Sequence, residues 1–476
     1  MKKYITTAIP YVNGAPHIGH AFEFVQADFI KRYYKDIAGE DVLLLSGADE
    51  NALKNVRAAE TAGEDVQRFV DKHAIEFHEL AKKLNVIFDV FQKGSDKKHH
   101  FPASQELWTR CAQNGDIYQT VYEGLYCVGC ELFYNKDELD ENGECFEHPG
   151  KPLEMVKEEN YYFRLSRYHQ KIIDLISSDT IKVLPEERKH EVMAFLKQPL
   201  QDISISRTNE RAKNWGVPVP EDDSQRMYVW FDALNIYQSG VGFGWNKTMY
   251  EKWWPADIHV IGKGITRFHA VYWPAFLLSA GLKLPKTIFV HGYFTVDGQK
   301  MSKTLGNVID PMEIVKKFGT DALRFFFARE MPSTADGDFS FKRMEQLYNS
   351  ELANELGNLV SRITTMAAID GITITITQEM ERFPLELSNL YVTYQFQKVV
   401  EYIWTAIRDL NKEINKIEPW NFEAKRREKY LTQWLIEIHK IGKYLIPIMP
   451  DTAKAIMGAT KGRIDKVAPL FPRLSK

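Results

Sequence analysis

The chain has 476 residues, of which 44% are hydrophobic, and its formal net charge at pH 7 is −3. This length suits two to four domains with sizeable cores, and no apolar stretch is long enough to cross a membrane. Four cysteines, three of them clustered, favour a metal site in a reducing compartment over a disulfide framework. We therefore expect a cytoplasmic protein.

Positive charge is concentrated in the last part of the chain. From Phe396 to Lys476, sixteen Lys and Arg residues outnumber nine Asp and Glu residues, which gives +7 there and −10 for the remainder. This asymmetry favours a polyanionic partner that touches one end of the molecule. A solvated helical surface is the alternative explanation of the same charges.

The first twenty residues combine a strand, a turn and the start of a helix. β-Branched residues crowd before Pro10, turn residues fill Asn13–Pro16, and apolar residues then recur at spacings of three and four. Such a corner of a parallel α/β sheet offers an anion the N–H groups and the positive dipole end of a helix. His17 and His20 can donate to that anion, or cap the helix, and Gly19 leaves room for a flat group.

Later elements extend this α/β pattern. Residues 41–46 predict a buried parallel strand, with Asp49 at its carboxyl end. Residues 227–231 and 258–261 are further candidate strands. From about residue 351 the apolar spacing becomes helical and predicts a bundle, which is interrupted by a short extended segment over Gly371–Gln378.

A lysine-containing loop follows the strand-like segment 288–296. The turn 297–299 leads into Lys300-Met301-Ser302-Lys303-Thr304, where two lysines three residues apart suit a polyphosphate. With His17-Ile18-Gly19-His20, this sequence resembles the paired signatures of class I aminoacyl-tRNA synthetases. Either signature alone is weak, but the two occur in the right order and on the right predicted elements.

The clustered cysteines form two knuckles. Cys127 and Cys130 make a C-x-x-C pair, and Cys145 and His148 make a C-x-x-H pair. Four such ligands satisfy tetrahedral zinc without an open position, so the predicted site is structural. Reduced thiols without metal are the alternative, and Cys111 lies outside the pattern as a predicted core residue.

Other segments narrow the resemblance to the methionyl-tRNA synthetase family over about residues 4–470; they are Ala8–Gly14, Tyr228–Leu234, Trp273–Ala275, His291–Tyr293 and the cysteine knuckles. The resemblance implies that methionine reacts with Mg-ATP to give methionyl-adenylate and diphosphate. Transfer to tRNA(Met) then releases AMP. Because the chain ends soon after the bundle, we expect a monomer.

The fold expected from these features is α/β, a Rossmann-like parallel sheet split by a zinc-knuckle insertion and followed by a C-terminal α-helical bundle. The predicted parts are the first half of the Rossmann catalytic domain, a connective insertion, the second half with the lysine loop, a stem-contact region and an α-helical anticodon-binding domain. Their ranges are 1–115, 116–225, 226–325, 326–350 and 351–476.

Roles for single residues follow from the resemblance. It implies that four residues are catalytic: His17, His20, Lys300 and Lys303. ATP contacts would add Gly19, Gly262, His291 and Ser302. The methionine pocket would comprise Ile9, Tyr11, Asp49 (at the α-ammonium), Trp230, Ala233, Leu234, Tyr237, Ile265 and His269. The anticodon would be read by Asn358, Arg362, Pro419 and Trp420. Taken singly, each aromatic residue of the pocket is more often part of a core than a ligand contact, and an interhelical core residue is the alternative for Trp420.

Two departures from the family pattern concern the ATP site. Asn51-Ala52 stands where the family usually has His-Gly, and Gly264 stands where it usually has Asp. We therefore expect weaker ATP binding than in related enzymes. The departures also leave open a non-catalytic tRNA-binding paralogue, which the intact histidines and lysines disfavour. Another class I synthetase is a further alternative, although the insertion is short for an editing domain.

Overall fold

The computed structural model describes residues 2–127, 132–134, 139–145, 150–301 and 307–474. Its strands are β1 (Lys2–Thr6), β2 (Asp41–Ala48), β3 (Val90–Lys93), β4 (Ile117–Cys127), β5 (Leu132–Tyr134), β6 (Glu154–Phe163), β7 (Lys182–Leu184), β8 (Ile203–Ser204), β9 (Ser206–Thr208), β10 (Pro218–Val219), β11 (Asp222–Met227), β12 (Ile258–Gly262), β13 (Thr287–His291), β14 (Phe294–Val296), β15 (Gln299–Lys300), β16 (Gly337–Phe339), β17 (Thr373–Ile374) and β18 (Gly462–Arg463).

The α-helices are α1 (Ile18–Arg32), α2 (Leu53–Ala62), α3 (Val66–Lys83), α4 (His100–Gln113), α5 (His169–Ser177), α6 (Glu186–Phe195), α7 (Asn209–Ala212), α8 (Val229–Ser239), α9 (Lys247–Trp253), α10 (Trp273–Ser279), α11 (Pro311–Phe318), α12 (Thr320–Arg329), α13 (Phe341–Leu347), α14 (Asn358–Ile369), α15 (Leu385–Val392), α16 (Phe396–Ile417), α17 (Ala424–Leu445) and α18 (Pro450–Ala459). Wider π-helical turns cover Tyr33–Ile37, Phe268–Tyr272 and Tyr348–Gly357. Among these described helices, none combines the length and the apolar character that a membrane span requires.

The chain folds into two compact units. The sheet unit comprises the residues up to Pro16 together with Val42–Lys82 and Ile87–His291. The helical unit comprises His17–Asp41, Lys83–Val86 and the chain from Gly292 onward. The signature helix α1 and the lysine loop therefore belong to the same unit.

A six-stranded sheet with the order β3-β2-β1-β12-β13-β7 organises the sheet unit. The pairs β2–β3, β1–β12, β12–β13 and β13–β7 are parallel. The strand order reverses between β1 and β12, and open α/β sheets bind ligands at the carboxyl ends of the strands beside such a point. The predicted parallel sheet and the α/β fold class are confirmed.

Residues 116–225 are rich in turn residues and charges and show few helical repeats, so few helices are expected there. β4 and β6 form a long antiparallel pair, in register from Ile117↔Phe163 to Tyr126↔Glu154. Beyond it, α5 and α6 flank β7, which pairs in parallel with β13 at the edge of the six-stranded sheet. The expectation is wrong for α5 and α6, because α5 has only nine residues and α6 buries only Val192, so neither gives a long apolar repeat.

The prediction of a strand over residues 227–231 is also wrong. β11 ends at Met227, and Val229 opens α8, whose residues are all buried. A helix that is buried on every side shows no 3.6-residue alternation, so its aromatic and β-branched start looked like a strand. Cys111 is fully buried in this unit, as the core prediction required.

The helical unit confirms the predicted bundle. α14, α16, α17 and α18 enclose large buried side chains that include Trp404 and Trp434. The strand-like segment 288–296 is two strands, β13 and β14, and β14 pairs with β15 through a turn whose Asp297 and Gly298 have φ of 49° and 77°. In the predicted extended segment, β17 pairs with β18.

Candidate functional site

The first turn of α1 presents two stacked histidines. His17 is the N-cap residue, and its Nδ1 accepts a hydrogen bond from the Gly19 backbone N–H at 3.1 Å. The His20 Nδ1 accepts from the His17 N–H at 3.2 Å, and the two rings stack with centroids 3.9 Å apart. Because both Nδ1 atoms accept, these bonds assign the ring protons to Nε2. The capping and the anion-binding roles are therefore compatible.

Burial and the neighbouring His17 lower the pKa of His20 well below its usual value. His20 is consequently neutral at pH 7 and acts as a hydrogen-bond donor without a full charge. Gly19 lets the imidazole of His17 approach closely, because a Cβ there would lie 3.0 Å from the His17 Cε1 atom and the ring would have to shift. The flat group that Gly19 accommodates in this structure is the His17 imidazole.

Two described residues that flank the second lysine in sequence lie beside this turn. A Cβ on Gly19 would lie 3.9 Å from the Met301 Cε atom, and the Ile309 carbonyl accepts a hydrogen bond from the Ile18 N–H at 3.1 Å. Met301 and Ile309 are therefore close to the first turn of α1. Ser302, Lys303 and the side chain of Lys300 lie outside the described residues.

The predicted methionine-pocket residues gather at the carboxyl ends of three strands in the sheet unit. Ile9 and Tyr11 follow β1, Asp49 follows β2, and Ile265 and His269 follow β12. A parallel bridge joins Tyr11 to Asp49, and the Asp49 N–H donates to the Pro10 carbonyl at 2.9 Å. The first turns of α8 supply the other members, which are Trp230, Ala233, Leu234 and Tyr237.

Two of these residues, Tyr237 and His269, form a hydrogen-bonded pair. The Nδ1 atom of His269 lies 2.9 Å from the Ile265 carbonyl, and its Nε2 atom lies 2.8 Å from the Tyr237 hydroxyl. A carbonyl only accepts, so Nδ1 carries the proton and Nε2 accepts from the Tyr237 hydroxyl. Burial lowers the pKa of His269 to about 4. The imidazole is neutral, and both of its nitrogens are used within the protein.

Aromatic rings among the predicted pocket residues contact each other and Phe268. Trp230 stacks on Phe268 with centroids 3.6 Å apart and planes 7° apart, and it meets Tyr11 edge to face at 6.2 Å. The ammonium group of Lys54 lies 2.9 Å from the centre of the Tyr11 ring. Such a pocket suits an unbranched, polarisable side chain that requires contact area rather than hydrogen bonds.

A buried polar network holds the segment after β2, and the sequence pattern did not reveal it. The Asn51 amide donates to the Gly94 carbonyl at 2.8 Å and to Asp232 Oδ2 at 2.7 Å. Asp232 Oδ1 lies 2.5 Å from His100 Nε2, and His100 Nδ1 lies 2.7 Å from the Ser239 hydroxyl. Asn51, which stands where the family usually has histidine, therefore links the Gly94 carbonyl to Asp232 in the first turn of α8. No sequence signal marks His100, which opens a helix far from the signatures.

Gly262 and His291 are paired at the ends of β12 and β13. A Cβ on Gly262 would lie 3.5 Å from the His291 Cε1 atom, so these two residues predicted to contact ATP adjoin each other. Gly264 lies one turn further on, in the 3-10 segment Lys263–Ile265.

The cysteine knuckles are described in part. Cys127 ends β4 and pairs with Leu132 of the antiparallel strand β5. Cys145 is fully buried, with its Sγ atom 3.3 Å from the Tyr134 hydroxyl on β5. Two of the four predicted ligands thus adjoin one hairpin. Cys130 and His148 lie outside the described residues.

The predicted anticodon residues come together at one end of the bundle. Asn358 and Arg362 lie one turn apart on α14, and the Arg362 guanidinium lies 5.8 Å from the Trp420 ring centroid. Trp420 is 48% exposed in the turn after α16, whereas the adjacent Pro419 is buried. Arg362 Nη1 also donates to Asn415 Oδ1 at 3.0 Å. An interhelical core residue would be buried, so this exposure favours the predicted surface role of Trp420 over the core alternative.

Comparison with known proteins identifies the class of enzyme to which the sequence belongs. Residues 3–364 match the family model described as tRNA synthetases class I (M). With the split parallel sheet and the two signatures, this match defines a class I aminoacyl-tRNA synthetase.

The chain is 41% identical to the methionine–tRNA ligase of Thermotoga maritima over 96% of its own length and 75% of that protein. It is 44% identical to the Brucella suis methionine–tRNA ligase over 77% of its length and 71% of that protein. The structure of Mycobacterium tuberculosis methionyl-tRNA synthetase in complex with methionyl-adenylate superposes with a TM-score of 0.91 at 34% identity, covering 99% of this chain and 100% of that one. The chain therefore belongs to the methionine–tRNA ligase family.

Proposed function

We propose that the chain activates methionine with ATP and transfers the methionyl group to tRNA, with the residue roles that the sequence analysis assigned. The observation that carries the proposal is the closeness of Met301 and Ile309, the described residues on either side of Lys303 in sequence, to the first turn of α1. That arrangement supports a shared triphosphate site for His17, His20, Lys300 and Lys303.

The first step needs no activated side chain, because the methionine carboxylate is already a nucleophile. Its oxygen attacks the α-phosphorus of ATP, the bond from that phosphorus to the β-phosphate oxygen breaks, and diphosphate leaves with the electron pair. The barrier is the negative charge that develops on the phosphoryl oxygens. The Nε2–H donors of the two histidines and the loop ammonium groups would stabilise that charge. Mg²⁺ accompanies ATP as its counterion.

Methionine selection in this proposal depends on a closed, largely apolar pocket. Trp230 and Phe268 would supply stacked area, and the hydrogen-bonded Tyr237–His269 pair would form another part of the lining. Because the Tyr237 proton is held by His269, the pocket offers the thioether mainly surface contact, which suits its weak acceptor character. Asp49 would bind the α-ammonium group.

RNA recognition is proposed for the exposed cluster at Trp420. An unstacked base can lie on an exposed indole, and the Arg362 guanidinium beside it suits base edges or phosphate. Asn358, one turn away on the same helix face, would add an amide for hydrogen bonding. The basic character of the chain after Phe396 supports this placement.

A structural zinc held by Cys127, Cys130, Cys145 and His148 is part of the proposal. The two described cysteines fit, because both are buried beside one hairpin and the Tyr134 hydroxyl can donate to a thiolate at Cys145. A zinc ion with four protein ligands has no open position, so it would stabilise the insertion and take no part in the reaction. Metal analysis of freshly purified protein should find about one zinc per chain, released by a strong chelator; finding none would remove this part.

We also propose the five domains and their ranges as the sequence analysis gives them. Within them, β7 belongs to the insertion range but pairs with β13 of the catalytic sheet. A cytoplasmic, monomeric protein is likewise proposed. Sedimentation equilibrium at micromolar concentration should return the mass of one chain, 55.2 kDa.

ATP–diphosphate exchange measured with each of the twenty amino acids in turn tests the proposal. Exchange with methionine alone supports it. Exchange with a different amino acid would indicate another class I specificity. The absence of exchange with any amino acid, together with tight tRNA binding, would indicate a non-catalytic paralogue.

A further inference from the structure

One arginine in the middle of α12 is completely buried. Arg324 donates from Nε to the Ile448 carbonyl at 2.8 Å and from Nη1 to the Leu84 carbonyl at 3.1 Å. Its Nη2 atom donates to Asp28 Oδ2 at 2.7 Å and to the Pro447 carbonyl at 2.9 Å. Burying a guanidinium is costly unless its donors are used, and here three carbonyls and a carboxylate surround it.

These partners belong to three segments of the helical unit. Asp28 lies in the third turn of α1, ten residues after the first helical residue, Ile18. Leu84 directly follows α3, and Pro447 and Ile448 lie in the turn between the end of α17 and the start of α18. Buried carbonyls need hydrogen-bond donors, and a guanidinium can supply several of them at once. One guanidinium therefore joins α1 to the turn after α17 and to the end of α3.

Neighbouring contacts reinforce this junction. Arg32 donates from Nε to Asp28 Oδ2 at 2.6 Å and from Nη2 to the Asn85 carbonyl at 2.7 Å. One turn before Arg324, Asp321 Oδ2 accepts from the Thr452 N–H at 2.6 Å. Two successive turns of α12 therefore form hydrogen bonds with the turn after α17 and with the start of α18. Asp28 accepts hydrogen bonds from two arginines, Arg32 and Arg324.

The opposite end of α1 carries His17 and His20. Eight residues of α-helix separate His20 from Asp28, a rise of about 12 Å. Over that distance a helix behaves as a rod, so a shift at Asp28 moves the first turn with it. Catalytic groups lose much of their effect when they move by a fraction of an ångström to about 1 Å.

We infer that Arg324 is a positioning residue for methionine activation, because it fixes α1 through Asp28 and thereby sets the location of the two histidines that bind ATP. The inference rests on the proposed function for the role of those histidines. It gives Arg324 no contact with substrate. It also explains why a full positive charge is kept at a place where an apolar side chain would fill the space.

The test compares Arg324→Lys and Asp28→Asn with Arg329→Lys. Arg329 lies on the same helix and forms ion pairs with Glu351 and Glu401, so it is a matched control without a partner in α1 among the described contacts. Lysine keeps the charge but loses the planar fork, and asparagine keeps the shape of Asp28. ATP–diphosphate exchange is measured for all three variants, with rates divided by the concentration of active sites.

We expect Arg324→Lys and Asp28→Asn to lower kcat/KM for ATP at least tenfold while KM for methionine stays within twofold. Arg329→Lys should stay within twofold for both substrates. Losses that vanish after active-site correction, or that equal those of Arg329→Lys, would show a purely structural role and overturn the inference. If Arg324→Lys does not fold, the Asp28→Asn result decides. Absence of methionine-dependent exchange in the unaltered protein would instead refute the proposed function.

Discussion

Two groups of histidines in this molecule are set for opposite purposes. In the first turn of α1, backbone N–H groups bind the Nδ1 atoms of His17 and His20, which leaves the ring protons on Nε2. Among the residues proposed for the methionine pocket, His269 donates from Nδ1 to a carbonyl and accepts at Nε2 from Tyr237. In the proposed function, the first arrangement would provide donors for an anion, and the second would leave both ring nitrogens bonded within the protein. Which nitrogen the protein engages thus decides whether a histidine binds charge or maintains shape.

The largest loss of activity is expected from a substitution of His20 that keeps the Nδ1 acceptor and removes the Nε2 donor. An asparagine amide can replace the accepting Nδ1, whereas a glutamine amide reaches toward the Nε2 position. We expect His20→Asn to lower the rate of methionine-dependent exchange by about 100-fold or more, since one donor to developing charge is lost. His20→Gln should retain most activity and lose the cap, which is worth about 1 kcal/mol of unfolding free energy.

Exchange kinetics of both variants measure the contribution of the Nε2 donor to activity, and urea unfolding measures the contribution of the Nδ1 cap to stability. If His20→Asn is as active as the unaltered protein, the ring serves only as a cap, and the distinction between the two groups of histidines is lost.

The second prediction concerns stability at acid pH. His269 has a pKa of about 4 in the folded chain, against an ordinary value near 6.5 in the unfolded chain. Between these values the unfolded state binds a proton that the folded state does not, so the unfolding free energy decreases as the pH falls from 6.5 to 4. The contribution is fully present above pH 6.5, and the total loss from His269 is about 3 kcal/mol.

Urea unfolding at several pH values checks this sign. His269→Gln should be less stable at pH 7, where its hydrogen bond with Tyr237 is disturbed, yet show a shallower pH dependence between 4 and 6.5. Parallel curves for both proteins would mean that His269 is protonated in the fold, against the assigned tautomer.

Two tryptophans, one buried and one exposed, differ in a similar way. Trp230 is buried in a stack, whereas Trp420 is 48% exposed beside Arg362. We expect Trp420→Ala to lower kcat/KM for tRNA charging about 10- to 100-fold through loss of base stacking, with methionine-dependent exchange unchanged. Trp245→Ala, which alters an exposed tryptophan of the sheet unit, is the control and should change neither assay. Equal losses in both assays would assign Trp420 a packing role.

The smallest effect concerns the departure at Gly264. If the missing carboxylate weakens contact with the nucleotide, Gly264→Asp should lower KM for ATP about threefold, since one exposed hydrogen bond is gained. KM for methionine should not change. An ordinary ATP dependence in the unaltered protein, together with no gain in the variant, would mean that the fold compensates for this glycine.

The sequence indicated the phosphate end of the site more directly than the methionine pocket. Around His17 and Lys300 the proposed chemistry depends on local turns and charges, so short patterns predicted the helix start, the turn at 297–299 and the parallel sheet. The pocket residues Trp230 and Tyr237 have no such local pattern, because α8 is buried on all sides and was mistaken for a strand at its start. Only the family resemblance identified them.

Long-range pairs are the part that a single sequence could not supply. Asp232 meets His100 across 132 residues, and Arg324 meets Asp28 across 296. Each partner alone is an ordinary charged residue of a helix, and its meaning depends on burial that arises only after folding. The edge strand β7 escaped prediction for a related reason, since three residues carry little periodicity.

A double-mutant cycle on kcat/KM for ATP tests the shared triphosphate site most directly. His20→Asn, Lys300→Met and the combined variant are compared with the unaltered protein in the exchange assay. Groups that act on one transition state should show a coupling energy of at least about 1 kcal/mol. Strictly additive losses would contradict the account, because the histidine turn and the lysine loop would then act on separate events.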